Sequence, residues 1–186
     1  RMAKREMTRG LLRKPRVTVT LARDNPMFAP DSDRNLESLV VLIADSNPHS
    51  RRLLRMILST AGAKTHHEVG DGVAALEAIH AINPDIMIMD WDLGGLNGPQ
   101  LLQTVRSPER SPKANLPVIV MTDVCNHSRA DQAMRMGANE LLVRPTSPKM
   151  LRQRLLGIVY RPRPMVRVGD YYVPLPRKRT GREELV

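Results

Sequence analysis

A chain of 186 residues with a net charge of +10, 41% hydrophobic residues and 3% aromatics has room for one domain, and its core must be aliphatic. The single cysteine, Cys125, excludes an internal disulfide and fits a reducing, cytoplasmic compartment. No apolar run approaches the ~20 residues that a membrane-spanning helix needs. The charge is uneven: residues 1–35 carry 9 Lys/Arg against 4 Asp/Glu, residues 36–159 carry 13 against 12, and residues 160–186 carry 7 against 3. A near-neutral middle with basic ends is a different object from a basic domain.

The N-terminal extension, residues 1–35, has no apolar stretch of the signal-peptide kind. Its "RVTVTLA" (16–22) alternates with period two, as a strand would. Within residues 36–160 apolar runs and helical patterns alternate. "LVVLIA" (39–44) is continuous and apolar, and "HSRRLLRMILSTAG" (49–62) has helical spacing with a glycine stop. "AKTHHEV" (63–69) reads as a short strand. "DGVAALEAIHAI" (71–82) reads as a helix with Val73, Leu76, Ile79 and Ile82 on its apolar face. "DIMIMD" (85–90) is a second fully apolar strand, followed by a helix at "GPQLLQTVRS" (98–107). "LPVIVMT" (116–122), a helix at "HSRADQAMRMG" (127–137) and a strand at "NELLV" (139–143) follow. The last helix, "SPKMLRQRLLGIVY" (147–160), has Ser147 placed as its N-cap and Pro148 in its first turn. This alternation implies an α/β fold, a doubly wound five-stranded parallel sheet covered by five helices.

In such a sheet the working residues lie beyond the carboxyl ends of the strands. Asp45 follows the first strand, Asp90 ends the third, Thr122 ends the fourth and Arg144 ends the fifth. A carboxylate closing a buried strand is costly unless something pairs with it. Two carboxylates, a hydroxyl and a cation at one edge suit a hard divalent metal and a phosphoryl group. Asp90 would be the nucleophile, forming an acyl phosphate.

The motifs "VLIADSNPHSRRLL", "PDIMIMDWDLGGLNG", "LPVIVMT" and "GANELLVRP" together resemble the receiver domain of bacterial two-component response regulators, over residues of about 38–160. That resemblance implies a flavodoxin-like fold of the chemotaxis-regulator type, with strand order 2-1-3-4-5. It also implies a non-enzymatic role in signal transduction. Asp90 matches the phosphoacceptor, Asp45 the first of an acidic pair, and Asp92 the position whose backbone carbonyl usually binds the metal. The implied metal set is thus Asp45, Asp90 and Asp92, and the implied cofactor is Mg²⁺. Thr122 matches the switch hydroxyl, and Gly98 the glycine of the turn after the phosphoacceptor.

The chain also departs from that pattern. Ser46 stands where the family has a second acidic residue, which removes one anionic contact to a metal. Arg144-Pro145 replaces a lysine before a cis-proline, and a forked guanidinium is not equivalent to a point charge. Leu141 stands at the position of the aromatic switch partner, and Gly94 and Gly95 replace a proline-containing turn. Two readings stay open: a receiver phosphorylated at Asp90 in the ordinary way, or a degenerate receiver used as an interaction scaffold.

Other features have plainer readings. His66 and His67, adjacent on a strand, point to opposite faces and cannot chelate one metal together. Met87, Met89, Met121, Met134 and Met136 read as core packing. "GLNG" is a turn before a helix, since a dinucleotide-binding loop would need its glycines after the first strand.

The C-terminal tail, residues 161–186, recurs in proline and cannot be one helix. Its "MVRVGDYYV" (165–173) is β-prone, although the composition also fits a weakly ordered, solvated arm. The tails are too short for a helix-turn-helix or winged-helix reader, so a stand-alone receiver is expected. Its partners would be a histidine kinase or phosphotransfer protein and a downstream protein target. The alternative places a cyclic dinucleotide or RNA on Arg161, Arg163 and Arg167, with Tyr160, Tyr171 and Tyr172 for stacking.

Overall fold

A computed structural model describes residues 35–124 and 126–176. The period-two stretch at 16–22 and the basic residues after Pro176 lie outside the described residues. Strands β1 (Val40–Ala44), β2 (Thr65–Val69), β3 (Ile86–Asp90), β4 (Val118–Thr122) and β5 (Glu140–Val143) form one sheet, all parallel, in the order β2-β1-β3-β4-β5. The chain alternates them with α1 (Pro48–Ala61), α2 (Gly72–Ile82), α3 (Gly98–Arg106), α4 (His127–Arg135) and α5 (Pro148–Tyr160). This is the flavodoxin-like doubly wound sheet expected from the alternation, with boundaries within two residues of the sequence reading.

Successive strand residues point to opposite faces, and each face has its own aliphatic core. Leu42, Met87, Met89, Val118 and Val120 pack with Ile79, Leu101, Leu102, Val105 and Ala133, contributed by α2, α3 and α4. Val41, Ile43, Ile86, Ile88 and Ile119 pack with Leu54 and Leu58 of α1 and Leu151, Leu155 and Ile158 of α5. The inner strands β3 and β4 are buried at every residue, as a sheet covered on both sides requires. The edge strand β2 tolerates its Thr-His-His-Glu run because Thr65, His67 and Glu68 are exposed to water.

Polar side chains start every helix. Asn47, Asp71, Asn97, Asn126 and Ser147 each accept from a backbone N–H of the first turn, and Asn97 closes a capping box with Gln100. The structure corrects one residue of the expected face of α2: Ile79 is buried and Leu76 and Ile82 pack against the core, whereas Val73 is exposed and the buried side continues through Gly72, Ala75 and Ala78. A Cβ at Gly72 would sit 2.4 Å from the Leu96 carbonyl oxygen, so the loop before α3 presses on the start of α2 and only glycine fits at that position. Met134 is likewise exposed and not core, and Met136 is partly buried at the edge of it.

The solvated-arm expectation does not hold for residues 161–176. Strands β6 (Met165–Val168) and β7 (Tyr171–Pro174) form an antiparallel hairpin that turns at Gly169, whose φ is +61°. β7 lies against α3. Val166 and Pro174 are buried. The hairpin covers a fully buried cation, Arg106, which no carboxylate pairs among the described residues. Arg106 donates to the carbonyls of Gly137 (2.8 Å), Ala114 (3.1 Å) and Leu116 (2.7 Å), and to Asn139 Oδ1 (2.9 Å). Burial pushes its guanidinium down to about 9, which still leaves it protonated at neutral pH.

Candidate functional site

The strand register builds the site. Ala44 of β1 partners Met89 of β3, so the next residues, Asp45 and Asp90, emerge side by side. Asp90 partners Met121, and Thr122 partners Val143, which puts Thr122 and Arg144 one step further along the same edge. Gly98 is needed here. A Cβ on it would lie 2.7 Å from the Asp90 carbonyl oxygen and 2.5 Å from that of Trp91, so α3 starts in direct contact with the β3 turn.

Arg144 joins the two buried carboxylates. Its Nη2 donates to Asp45 Oδ2 at 2.8 Å and its Nη1 to Asp90 Oδ1 at 3.1 Å, with Asp123 Oδ1 at 3.2 Å on its exposed side. The Arg144–Pro145 bond is cis, as the resemblance implied. Asp45 also accepts from the Asn47 backbone N–H at 2.8 Å and from Ser50 Oγ at 2.6 Å. Its desolvation is therefore matched by charge and by hydrogen bonds, the condition under which a buried carboxylate is tolerated.

A second arginine, which the sequence reading did not single out, completes the site. Arg129 of α4 donates through Nη1 to Thr122 Oγ1 at 2.9 Å and to Asp92 Oδ2 at 3.1 Å. Its guanidinium lies 5.8 Å from the ring centre of Trp91, within cation–π range. Thr122 is fully buried, so Arg129 meets a polar requirement that water does not reach. Nothing in the local pattern marks Arg129, because its partners lie 37 and 7 residues away.

Two pKa shifts follow from the geometry. Burial raises the Asp90 carboxyl, and the nearby Arg144 only partly offsets this, while Asp45 raises it further. Burial also pulls Arg144 down, but Asp90 and Asp45 outweigh it and hold the guanidinium above its ordinary value.

The expected residues are thus divided. Asp45, Asp90, Thr122 and Arg144 converge, and Asp92 joins them through Arg129. Ser46 is exposed beside Gly94. Arg161 is exposed and caps the C-terminal end of α5. Arg163 donates to the carbonyls of Asn139 and Leu175, tying the C-terminal segment to the start of β5, and Arg167 donates to the Gly169 carbonyl at 3.0 Å within the hairpin.

The model of the response regulator receiver domain family matches residues 41–156. This chain belongs to that family. The receiver is 31% identical over 115 residues to the chemotaxis protein CheY of Pseudomonas aeruginosa, covering 62% of this chain and 91% of CheY. It superposes on the Francisella response regulator 1452 receiver domain with a TM-score of 0.57 and 25% identity, covering 66% of this chain and 97% of that one. The receiver domain of sensor histidine kinase PA1611 from Pseudomonas aeruginosa, solved with a magnesium ion in its cleft, shares the fold. That likeness has a TM-score of 0.57 and 21% identity, and covers 66% of this chain and 97% of that one. No helix among the described residues is long and apolar enough to cross a membrane.

The carboxylates expected to hold Mg²⁺ are engaged by guanidinium groups in this structure. The ion demands near-octahedral oxygen ligands at ~2.0–2.1 Å. Among the described residues no three acidic, His or Cys side chains are grouped to hold a metal. One oxygen of each site carboxylate on Asp45, Asp90 and Asp92 is held by a guanidinium. A dication would have to approach where a cation already lies.

Proposed function

We propose that this receiver is a cytoplasmic signalling module of a two-component pathway that acts through protein contacts, with Asp90 as its phosphoryl acceptor. Its partners are a histidine kinase or phosphotransfer protein upstream and a protein target downstream. The observation that carries this reading is the contact of Arg144 with Asp90 at the edge where Thr122 also ends its strand. In the reaction an Asp90 carboxylate oxygen bonds to the phosphorus of an acyl phosphate. The bond from phosphorus to the donor's acyl oxygen breaks, and its electron pair leaves with the donor's carboxylate. Arg144 is the cation within reach of the added phosphoryl oxygens. The intramolecular contacts of Arg163 and Arg167 favour protein contacts over nucleotide or RNA binding.

Incubation with an acyl phosphate, with and without Mg²⁺, followed by intact-mass analysis tests the acceptor. One added phosphoryl group is expected in the wild type, and it is lost in Asp90→Asn. An adduct that survives Asp90→Asn overturns the assignment, and so does its absence from the wild type.

A further inference from the structure

We propose that Arg144 and Arg129 are the resident cations of this site, closing it without a metal ion and tying α4 to it. The inference rests on the receiver reading above and concerns how that site is held at rest. Arg144 spans Asp45 and Asp90, the two carboxylates between which a divalent ion would have to bind, at 2.8 and 3.1 Å. Ser46 adds no charge to draw a metal in. Asp45 is further fastened by Asn47 and Ser50, so neither of its oxygens faces an empty cleft. Arg129 does the corresponding work on the other side. It holds the buried Thr122 hydroxyl and the Asp92 carboxylate with one nitrogen, and it lies against Trp91.

The placement of Arg129 gives this closure a consequence for the fold. It stands in the first turn of α4, where its own backbone N–H is capped by Asn126 Oδ1 at 2.7 Å. The ends of β3 and β4 and the start of α4 are thus joined by a guanidinium. Whatever withdraws Arg129 from Thr122 and Asp92 frees the first turn of α4. A phosphoryl group on Asp90 would compete for Arg144 and disturb the neighbouring cluster, and a protein partner bound at this edge would do the same. The site is then a latch whose closed state needs no ion.

Trp91 is the protein's one tryptophan, so its fluorescence reports this site directly. Titration of the full chain with Mg²⁺, followed by that fluorescence and by calorimetry, tests the closure. Arg144→Met removes the cation while keeping chain length, and the Ser46→Asp/Arg144→Lys variant is a second test that retains charge. Apparent Mg²⁺ affinity is expected to rise at least about fivefold in both variants, because an opposing charge a few ångströms away has been removed or a carboxylate added. A smaller change in the variants that fold overturns the closure, whatever the phosphorylation assay finds. Hydrogen exchange across 126–135 tests the tie to α4. Arg129→Met is expected to speed exchange there at least about fivefold, with α1 unchanged. Unaltered exchange in α4 removes Arg129 from the proposal.

Discussion

Asp90 and Arg144 respond to the same burial with opposite outcomes. Arg144 meets three carboxylates, whose combined pull exceeds its desolvation, whereas Asp90 meets one cation and a second carboxylate. The raised Asp90 pKa means that the folded chain holds this proton more tightly than the unfolded chain does. The stability tied to it is fully present below the unfolded carboxylate value and is lost as pH rises through the folded one. Asp90→Asn is uncharged throughout, so it should be more stable than the wild type at neutral pH. Urea unfolding should show that difference shrinking towards about pH 4, near the unfolded value. A variant less stable than the wild type at neutral pH would mean that the ion pair with Arg144 outweighs burial.

Among the elements, the C-terminal hairpin behaves least like its composition. Its prolines and arginines suggest an open arm, yet Val166 is buried and Leu175 N–H bonds back to the Pro164 carbonyl at 2.9 Å. Gly137 is what lets it dock. At φ +97° a Cβ there would lie 3.0 Å from the Tyr172 carbonyl oxygen and 2.9 Å from Arg106 Nε. Truncation after Tyr160 should therefore cost about 2 kcal/mol or more, a fall of about 4 °C or more in melting temperature. A melting curve unchanged by the truncation would make the hairpin an ornament of the domain.

At the scale of the molecule, the two ends of the sheet are held by arginines in different ways. At the carboxyl end Arg144 and Arg129 meet carboxylates. At the opposite end Arg106 meets, among the described residues, only carbonyl-type oxygens, from the segment before β4, the turn after α4 and the start of β5. Arg106→Met keeps the aliphatic bulk but strands the buried carbonyls of Gly137, Ala114 and Leu116, while Asn139 Oδ1 keeps the Val118 N–H. It should destabilise the chain by about 3–5 kcal/mol in denaturant unfolding. The loss should be global, because α3, α4 and β5 all meet there.

Read alone, the sequence specifies the sheet, its helices and the edge at which the candidate site residues meet. Apolar strands and amphipathic helices announce themselves within windows of a few residues, and a polar cap precedes each helix. Asp45, Asp90, Thr122 and Arg144 were legible because a parallel sheet forces the ends of its strands to one side. The close contact of Gly72 with Leu96 was not legible, because it comes from a loop that periodicity does not see. Nor were Arg129, the docked hairpin or the carbonyl cage of Arg106. A guanidinium at the end of a long side chain reads the same in sequence whether it meets water, a carboxylate or a carbonyl. Only the tertiary structure decides which of these lies within reach, and here that decision fixes how the acidic site is neutralised.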